Sequence, residues 1–153
     1  MDADVEEISL DQEVRRLVYD HVIREGLPPT VAETAAALSR PFDEVNLCFR
    51  RLADAHILVL QKGSGEILMA APFSAVPTAF LVKVGDRKYY GNCIWDALGI
   101  PSMLKQDGIV NASCGCCGTA MTLEVANGSL AQARGLAHFA VAAARWWDDV
   151  VFS

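Results

Sequence analysis

The chain has 153 residues, 52% of them hydrophobic and 21% charged, which is typical of a globular protein and unlike a disordered one. No apolar run reaches the roughly 18 residues that span a bilayer, and the acidic start Met1–Glu7 is unlike a secretory signal. We therefore expect a cytoplasmic protein without a membrane partner. Its five cysteines should be reduced, and an odd number disfavours a closed disulfide framework.

The net charge of −6 lies entirely in the first half of the chain. Residues 1–75 contain 7 basic and 13 acidic side chains, whereas residues 76–153 contain 6 of each. A surface that binds the phosphate backbone of DNA needs an excess of cationic side chains. The charge distribution therefore disfavours DNA binding by the first half.

Two capping boxes mark the beginnings of the first two predicted helices. Ser9–Gln12 and Thr30–Glu33 each place a hydroxyl residue three positions before a Gln or Glu, and apolar residues follow the first at helical spacing. The first helix should end near Gly26 and the second before Pro41.

A third helix and a β-hairpin complete the first half. We expect the helix over about residues 42–55 and the hairpin over 57–69, with its turn at 62–65. Three helices followed by a hairpin predict a winged helix-turn-helix-like domain over residues 1–75, with a structural role. The residues expected to be buried on the third helix are Val45, Leu47, Phe49, Leu52 and Ala53.

Residues 76–153 are predicted to form a small mixed α/β domain, so the fold class is α+β. The expected elements are a strand at 78–84 with a partner at 88–90, a short helix at 93–98 capped by Asn92 and ended by Gly99 and Pro101, strands at 109–113 and 121–125, a turn at 127–128, a strand at 136–141 and a last helix containing residues 146–149.

Cys93 and Asp96 are candidates for thiol and proton-transfer chemistry. Three residues apart at the start of a helix, they share one face. The helix N-terminus is expected to lower the pKa of Cys93 from about 8.5, and burial would raise the pKa of Asp96 enough for it to carry a proton. An isolated Cys-x-x-Asp motif more often consists of a buried Cys and a surface Asp that take part in no reaction.

Three further thiols lie within the sequence Cys-Gly-Cys-Cys-Gly at 114–118, which we call the cysteine loop. Thiolates suit soft metals, and in an extended segment Cys114 and Cys116 would share a face from which Cys117 points away. Structural zinc would need a fourth ligand such as Cys93 or His138, and the pairing of two Cys-x-x-Cys motifs that is typical of such sites is absent. On its predicted strand His138 is more often a core residue than a ligand. The candidate metal ligands are Cys93, Cys114, Cys116 and Cys117.

The chain resembles the organomercurial (alkylmercury) lyases, which couple a winged-helix-like domain to a small α/β catalytic domain. The resemblance covers most of the length and is densest over residues 80–125. The matching features are a strand, Asp86-Arg87, Tyr90, Cys93-x-x-Asp96, Ser113-Cys114, Gly118 and a further strand, followed by His138-Phe139 and Trp146.

The resemblance implies that Cys93 attacks the mercury of an organomercurial and that Asp96 protonates carbon as the C–Hg bond breaks. The second catalytic cysteine of the family would lie near Arg134-Gly135, where this chain has no thiol. Cys116 or Cys117 is therefore expected to supply the second thiolate. Without one, the chain would bind the metal and leave the bond intact.

The resemblance also implies that no cofactor is required and that mercury enters as substrate and leaves as product ion. Cu or Zn is expected as an adventitious ion. Cys114 matches a family cysteine regarded as structural. The expected partner is a small organomercurial or a soft metal ion, and the oligomeric state is not specified. The alternatives are a non-catalytic binder of Hg, Cu or Zn, acting through the cysteine loop, and a metal-responsive DNA-binding regulator.

Overall fold

The computed structural model describes residues 9–132, 135–148 and 150. They form a mixed α+β fold with two antiparallel sheets, in agreement with the expected combination of helices and strands. The elements in chain order are α1 (Leu10–Glu25), α2 (Val31–Leu38), α3 (Phe42–Asp54), β1 (Val59–Leu60), β2 (Ile67–Ala70), β3 (Phe73–Ser74), β4 (Leu81–Val84), β5 (Arg87–Tyr90), α4 (Ile94–Leu104), β6 (Gly108–Ser113), β7 (Ala120–Ala126), β8 (Ser129–Gln132) and a 3₁₀ helix (Ala143–Asp148).

Both predicted capping boxes are confirmed. Ser9 and Thr30 accept hydrogen bonds from the backbone N–H three residues later, and the side chains of Gln12 and Glu33 return to the N-cap amides. These bonds satisfy N–H groups that a helix start leaves unpaired. Gly26 ends α1 in the left-handed region at φ 88°, a conformation that favours glycine.

The first three helices pack with β1 and β2 around one hydrophobic core. On α3 the buried side chains are Val45, Cys48, Phe49 and Leu52, which recur at intervals of three and four residues. Leu47 falls outside that stripe and is 53% exposed, so its predicted burial was wrong. The winged helix-turn-helix interpretation of residues 1–75, and the boundary at 75, stay predictions.

The second sheet has the strand order β5-β4-β6-β7-β8, with every neighbouring pair antiparallel. Buried residues of α4 pack with those of β4–β7 in a second hydrophobic core, which also takes in Phe73 of β3. Helix α1 contributes to both cores, through Val14 and Val18 in the first and Val22 in the second. Two tyrosine hydroxyls also connect helix α1 to other segments by hydrogen bonds. Tyr19 donates to the carbonyl of residue 71 at 2.9 Å, and Tyr89 donates to the carbonyl of residue 23 at 2.8 Å.

Helix α4 begins at Ile94 and continues to Leu104, so the predicted end at Gly99 and Pro101 was wrong. A proline inside a helix normally costs a hydrogen bond and a steric clash. Here Ala97, Ile100 and Pro101 are buried, and a Cβ at Gly108 would lie 2.6 Å from Pro101 Cγ. Packing of α4 on β6 therefore outweighs the local preference for a break.

The C-terminal part differs from the prediction. The predicted turn at 127–128 is present and leads into β8, whereas the described residues 136–141 contain no strand. The helix around Trp146 is a 3₁₀ turn, and Arg134 and Asp149 lie outside the described residues. In the described part of the chain, no helix combines the length and hydrophobicity needed to cross a membrane.

Candidate active site

Gly91 joins β5 to the start of α4 and fixes the position of the residues that follow. Its N–H donates to the carbonyl of Phe80 at 3.0 Å, and its own carbonyl accepts from the Thr78 hydroxyl at 2.6 Å. It also forms an isolated bridge with Phe73. A Cβ at this position would lie 2.7 Å from the backbone nitrogen of Ala97, so the strand end and α4 approach as closely as glycine permits.

Cys93 is the N-cap residue of α4, one position later than the Asn92 cap expected from sequence. The side chain is half-buried, and burial raises the pKa of its thiol. The backbone N–H groups of Asp96 and Trp95 oppose this rise, while the negative charge of Asp96 adds to it. The expected lowering of the Cys93 pKa by the helix N-terminus was therefore wrong, because desolvation of the thiolate is the larger effect.

Asp96 lies in the first turn of α4, beside Cys93, as expected. Burial raises the pKa of its carboxyl, and hydrogen bonding from Asn92 and the Cys93 thiol opposes the rise. The Asn92 Nδ2 group donates to Asp96 Oδ2 at 3.1 Å and to the Pro72 carbonyl at 3.3 Å. Asn92 thus orients the carboxyl. This role was not predicted from the sequence, although the spacing of an amide four residues before a carboxylate could have indicated it.

The cysteine loop is the tip of the hairpin formed by β6 and β7. Cys114 donates its N–H to the Thr119 carbonyl at 2.9 Å, and its carbonyl accepts from the Gly118 N–H at 2.8 Å. The second bond spans four residues, as in one turn of an α-helix. Residues 114–117 are therefore coiled, and the expected extended segment with Cys114 and Cys116 on one face was wrong.

Cys117 has the opposite electrostatic environment to Cys93. Its Sγ lies 3.1 Å from the Thr119 hydroxyl, and this side-chain hydrogen bond is the largest of the effects that lower the pKa of the Cys117 thiol. The Thr119 backbone and the Cys114 thiol contribute in the same direction. Both Cys116 and Cys117 are exposed, whereas Cys114 is half-buried. The loop thus presents an accessible thiol with enhanced thiolate character.

The register of the second sheet brings Cys93 and the cysteine loop to the same end of that sheet. Leu81 of β4 pairs with Tyr90 of β5 on one side and with Asn111 of β6 on the other. Cys93 follows Tyr90 by three residues, and Cys114 follows Asn111 by three. Because β5 and β6 are two strand spacings apart, about 10 Å separates the points from which the two segments leave the sheet.

Among the described residues, no group of three or more His, Cys, Asp or Glu side chains is arranged to hold a metal ion, so the four-cysteine ligand set stays a prediction. His138 is exposed on an irregular segment, and its predicted place in the core was wrong. Cys48 is fully buried in the first core, where it is a packing residue, and burial is the main cause that raises the pKa of its thiol to about 11.

Comparison with protein families gives a match to the model described as MerB, alkylmercury lyase. The match covers residues 73–153, just over half of the chain, and includes Cys93, Asp96 and the whole cysteine loop. The chain belongs to the alkylmercury lyase family. Members of that family cleave carbon–mercury bonds.

A solved structure, the mercury-bound form of MerB2, is similar to this chain with a TM-score of 0.62 and 22% sequence identity. The similarity covers 79% of this chain and 59% of that one, so this chain spans less than two thirds of the length of MerB2. At this identity the comparison shows the fold. No curated protein matched the sequence.

Proposed function

We propose that this chain is an alkylmercury lyase that protonates the carbon of a C–Hg bond, using Cys93, Asp96 and a second thiolate from the cysteine loop. The observation that supports this most directly is the half-buried Cys93–Asp96 pair at the start of α4, within the residues matched by the family. Burial raises the pKa of both groups, so the pair is suited to holding one proton between them.

The first step is capture of the organomercurial. The Cys93 sulfur forms a bond to mercury and displaces the ligand X⁻ from R–Hg–X, while the thiol proton passes to the Asp96 carboxylate. The products are Cys93–S–Hg–R, protonated Asp96 and free X⁻. Because the pKa of Asp96 is raised, its carboxylate is a better proton acceptor than an exposed aspartate. The Asn92 amide donates a 3.1 Å hydrogen bond to the carboxyl and so restricts its orientation.

The second step is cleavage. A loop thiolate adds to mercury, and its electron density makes the bonded carbon more basic. Asp96 then gives its proton to carbon, RH leaves, and Hg²⁺ stays bound between two sulfurs. Cys117 is the stronger candidate for this thiolate because the Thr119 hydroxyl favours its ionised form, and Cys116 is the alternative. Two sulfurs that share one ion must approach to roughly 4–5 Å, given bonds of about 2.3 Å.

The test is release of hydrocarbon. Reduced protein is incubated with phenylmercuric acetate and excess thiol, and benzene is measured by headspace gas chromatography. We expect Cys93→Ser and Asp96→Ala to reduce the rate by at least about 100-fold, since general acid catalysis contributes factors of roughly 10² to 10⁴. Asp54→Asn, which removes an exposed carboxylate at the end of α3, is the matched control and should turn over normally.

Two outcomes would contradict the proposal. Benzene release by the Cys93→Ser or Asp96→Ala variant at the wild-type rate would exclude the assigned chemistry. Stoichiometric binding of phenylmercury without benzene would identify a non-catalytic binder of soft metals instead. A DNA-binding regulator is less well supported, because Arg51 of α3 is already paired with Asp11 through hydrogen bonds of 2.7 and 2.8 Å.

A further inference from the structure

The hairpin tip holds Cys114 and Cys117 in a local backbone turn that does not involve Cys93 or Asp96, although Cys117 is also the proposed second thiolate of the lyase reaction. The hydrogen bond from the Gly118 N–H to the Cys114 carbonyl, 2.8 Å long, closes one helical turn over residues 114–118. Residues three apart in such a turn have Cβ atoms about 5–6 Å apart on the same face, whereas residues two apart do not face each other. Cys114 and Cys117 therefore form a pair, and Cys116 lies off their face.

We propose that Cys114 and Cys117 form a two-coordinate site for an inorganic soft cation, of which Cu⁺ and Hg²⁺ are the chemical type. Such ions accept two thiolates in a nearly straight line, and two bonds of about 2.3 Å require sulfurs roughly 4–5 Å apart. Side chains on Cβ atoms about 5–6 Å apart reach that separation by rotation about χ1. On binding, two S–metal bonds form and two thiol protons pass to solvent.

The surroundings of the pair fit this type of ion better than zinc. Structural zinc takes four ligands, and the described residues contain no group of three or more His, Cys, Asp or Glu side chains placed to hold a metal. Cys117 is exposed, so an ion can reach it from solvent, and the Thr119 hydroxyl lies 3.1 Å from its sulfur. A hydroxyl at that distance can donate to a metal-bound thiolate and stabilise it.

The experiment measures binding of Cu⁺ alone, in the full chain with Cys93→Ser, so it does not depend on the lyase proposal. Reduced protein competes anaerobically with a chromogenic Cu⁺ chelator such as bicinchoninate. We expect one tightly bound Cu⁺ per chain in the Cys93→Ser protein. In that background, Cys114→Ala and Cys117→Ala should each weaken binding by at least 100-fold, whereas Cys116→Ala should change it less than about threefold. Circular dichroism spectra check that each variant is folded.

A second pair of variants tests the turn while keeping every sulfur. Gly118 has φ +71°, so Gly118→Ala strains the turn that aligns the two cysteines and should weaken Cu⁺ binding several-fold. Gly115→Ala is the matched control, because no heavy atom lies within 4 Å of the added Cβ and no positive φ is present.

Three results would overturn the inference. Loss of Cu⁺ binding on Cys93→Ser would mean that the ion sits at the lyase site. Equal losses for all three loop cysteines would remove the special role of the Cys114–Cys117 pair, and tighter binding of Zn²⁺ than of Cu⁺ would indicate a four-ligand site. Failure of benzene release in the lyase assay would leave this inference standing, so the two proposals fail separately.

Discussion

The substitution Gly91→Ala tests whether the close approach of β5 to α4 sets the position of Cys93. The added Cβ would lie 2.7, 2.8 and 2.9 Å from the N, Cα and Cβ atoms of Ala97, and two of these are backbone atoms that cannot rotate away. Overpacking of this kind costs about 1–3 kcal/mol, and the reduced freedom of the unfolded chain returns about 0.4–1 kcal/mol. We expect a net loss of about 1–2 kcal/mol in the free energy of unfolding, measured by urea denaturation.

The functional consequence is larger than the loss of stability. To relieve the contact, the start of α4 must shift, and it bears both Cys93 and Asp96. A displacement of about 1 Å at a reacting group can reduce turnover about 100-fold, so benzene release by folded Gly91→Ala protein should fall by about 10- to 100-fold.

Gly99→Ala is the control in the same helix, because an added Cβ there meets no atom within 4 Å. It should stabilise the protein by about 0.5–1 kcal/mol, through the better helix propensity of alanine, and leave turnover unchanged. Unfolding curves that do not distinguish Gly91→Ala from Gly99→Ala would refute the assigned close approach.

Three further predictions follow from buried polar groups. The raised pKa of Asp96 means that the folded chain binds this proton more tightly than the unfolded chain, so stability is lost as the pH rises from 3.8, the ordinary pKa, through the raised pKa. Asp96→Asn should therefore increase the free energy of unfolding at pH 8. The increase, measured by urea titration, should become smaller toward pH 4. In the pH profile of kcat/KM for phenylmercury, the rise on the acidic side should have its midpoint above pH 3.8, because Asp96 must ionise and its pKa is raised. The fall on the basic side should have its midpoint above pH 9.0, because Cys93 must keep its proton and its pKa is also raised. An acidic midpoint at or below pH 3.8 would contradict the proton-transfer scheme. Tyr89→Phe leaves the Ile23 carbonyl without its 2.8 Å hydrogen bond and should cost about 1–3 kcal/mol in the free energy of unfolding, measured by urea denaturation.

Local sequence signals predicted the structure correctly where backbone N–H and C=O groups find their hydrogen-bond partners within a few residues. The capping boxes at Ser9 and Thr30 and the left-handed Gly26 each complete their hydrogen bonds within a few residues, and the predicted helix ends are close to those observed. The same holds for the turn before β8, where residues 127 and 128 both have positive φ. Such features depend little on the rest of the fold.

Packing decided the elements that were predicted incorrectly. Pro101 stays inside α4 because its ring fills the space beside Gly108, a contact seven residues away that no local rule contains. No strand forms at the described residues 136–141, where one was predicted, and β7 pairs instead with the short strand β8 directly after the turn. Hydrophobic pattern gives the face of an element but not its neighbour in the sheet.

The sequence predicted which residues form the candidate site, but not how far they are buried or which groups they contact. The spacing of Cys93 and Asp96 places them together on α4, as expected. The direction of the Cys93 pKa shift depends on how far the packing of α4 on the sheet removes the thiol from water, and sequence carries no measure of that. The same argument applies to Asn92, whose link to Asp96 depends on the path from Gly91 into the helix.

The opposite pKa shifts of Cys93 and Cys117 suit a reaction that consumes one proton for each bond broken. If both sulfurs were already ionised when R–Hg–X arrived, mercury would be bound tightly, but the thiol proton that the proposed reaction passes from Cys93 to Asp96 would be missing. Burial raises the pKa of both Cys93 and Asp96, so in the proposed reaction it would retain that proton at the pair until carbon is protonated. The exposed Cys117, with its pKa lowered by Thr119, is then free to supply electron density without competing for the proton. Removing the Thr119 hydroxyl with Thr119→Val should therefore slow cleavage while leaving the first capture of phenylmercury by Cys93 unchanged. If capture and cleavage fell together, measured as protein-bound phenylmercury and released benzene, the division of roles between the two sulfurs would be wrong.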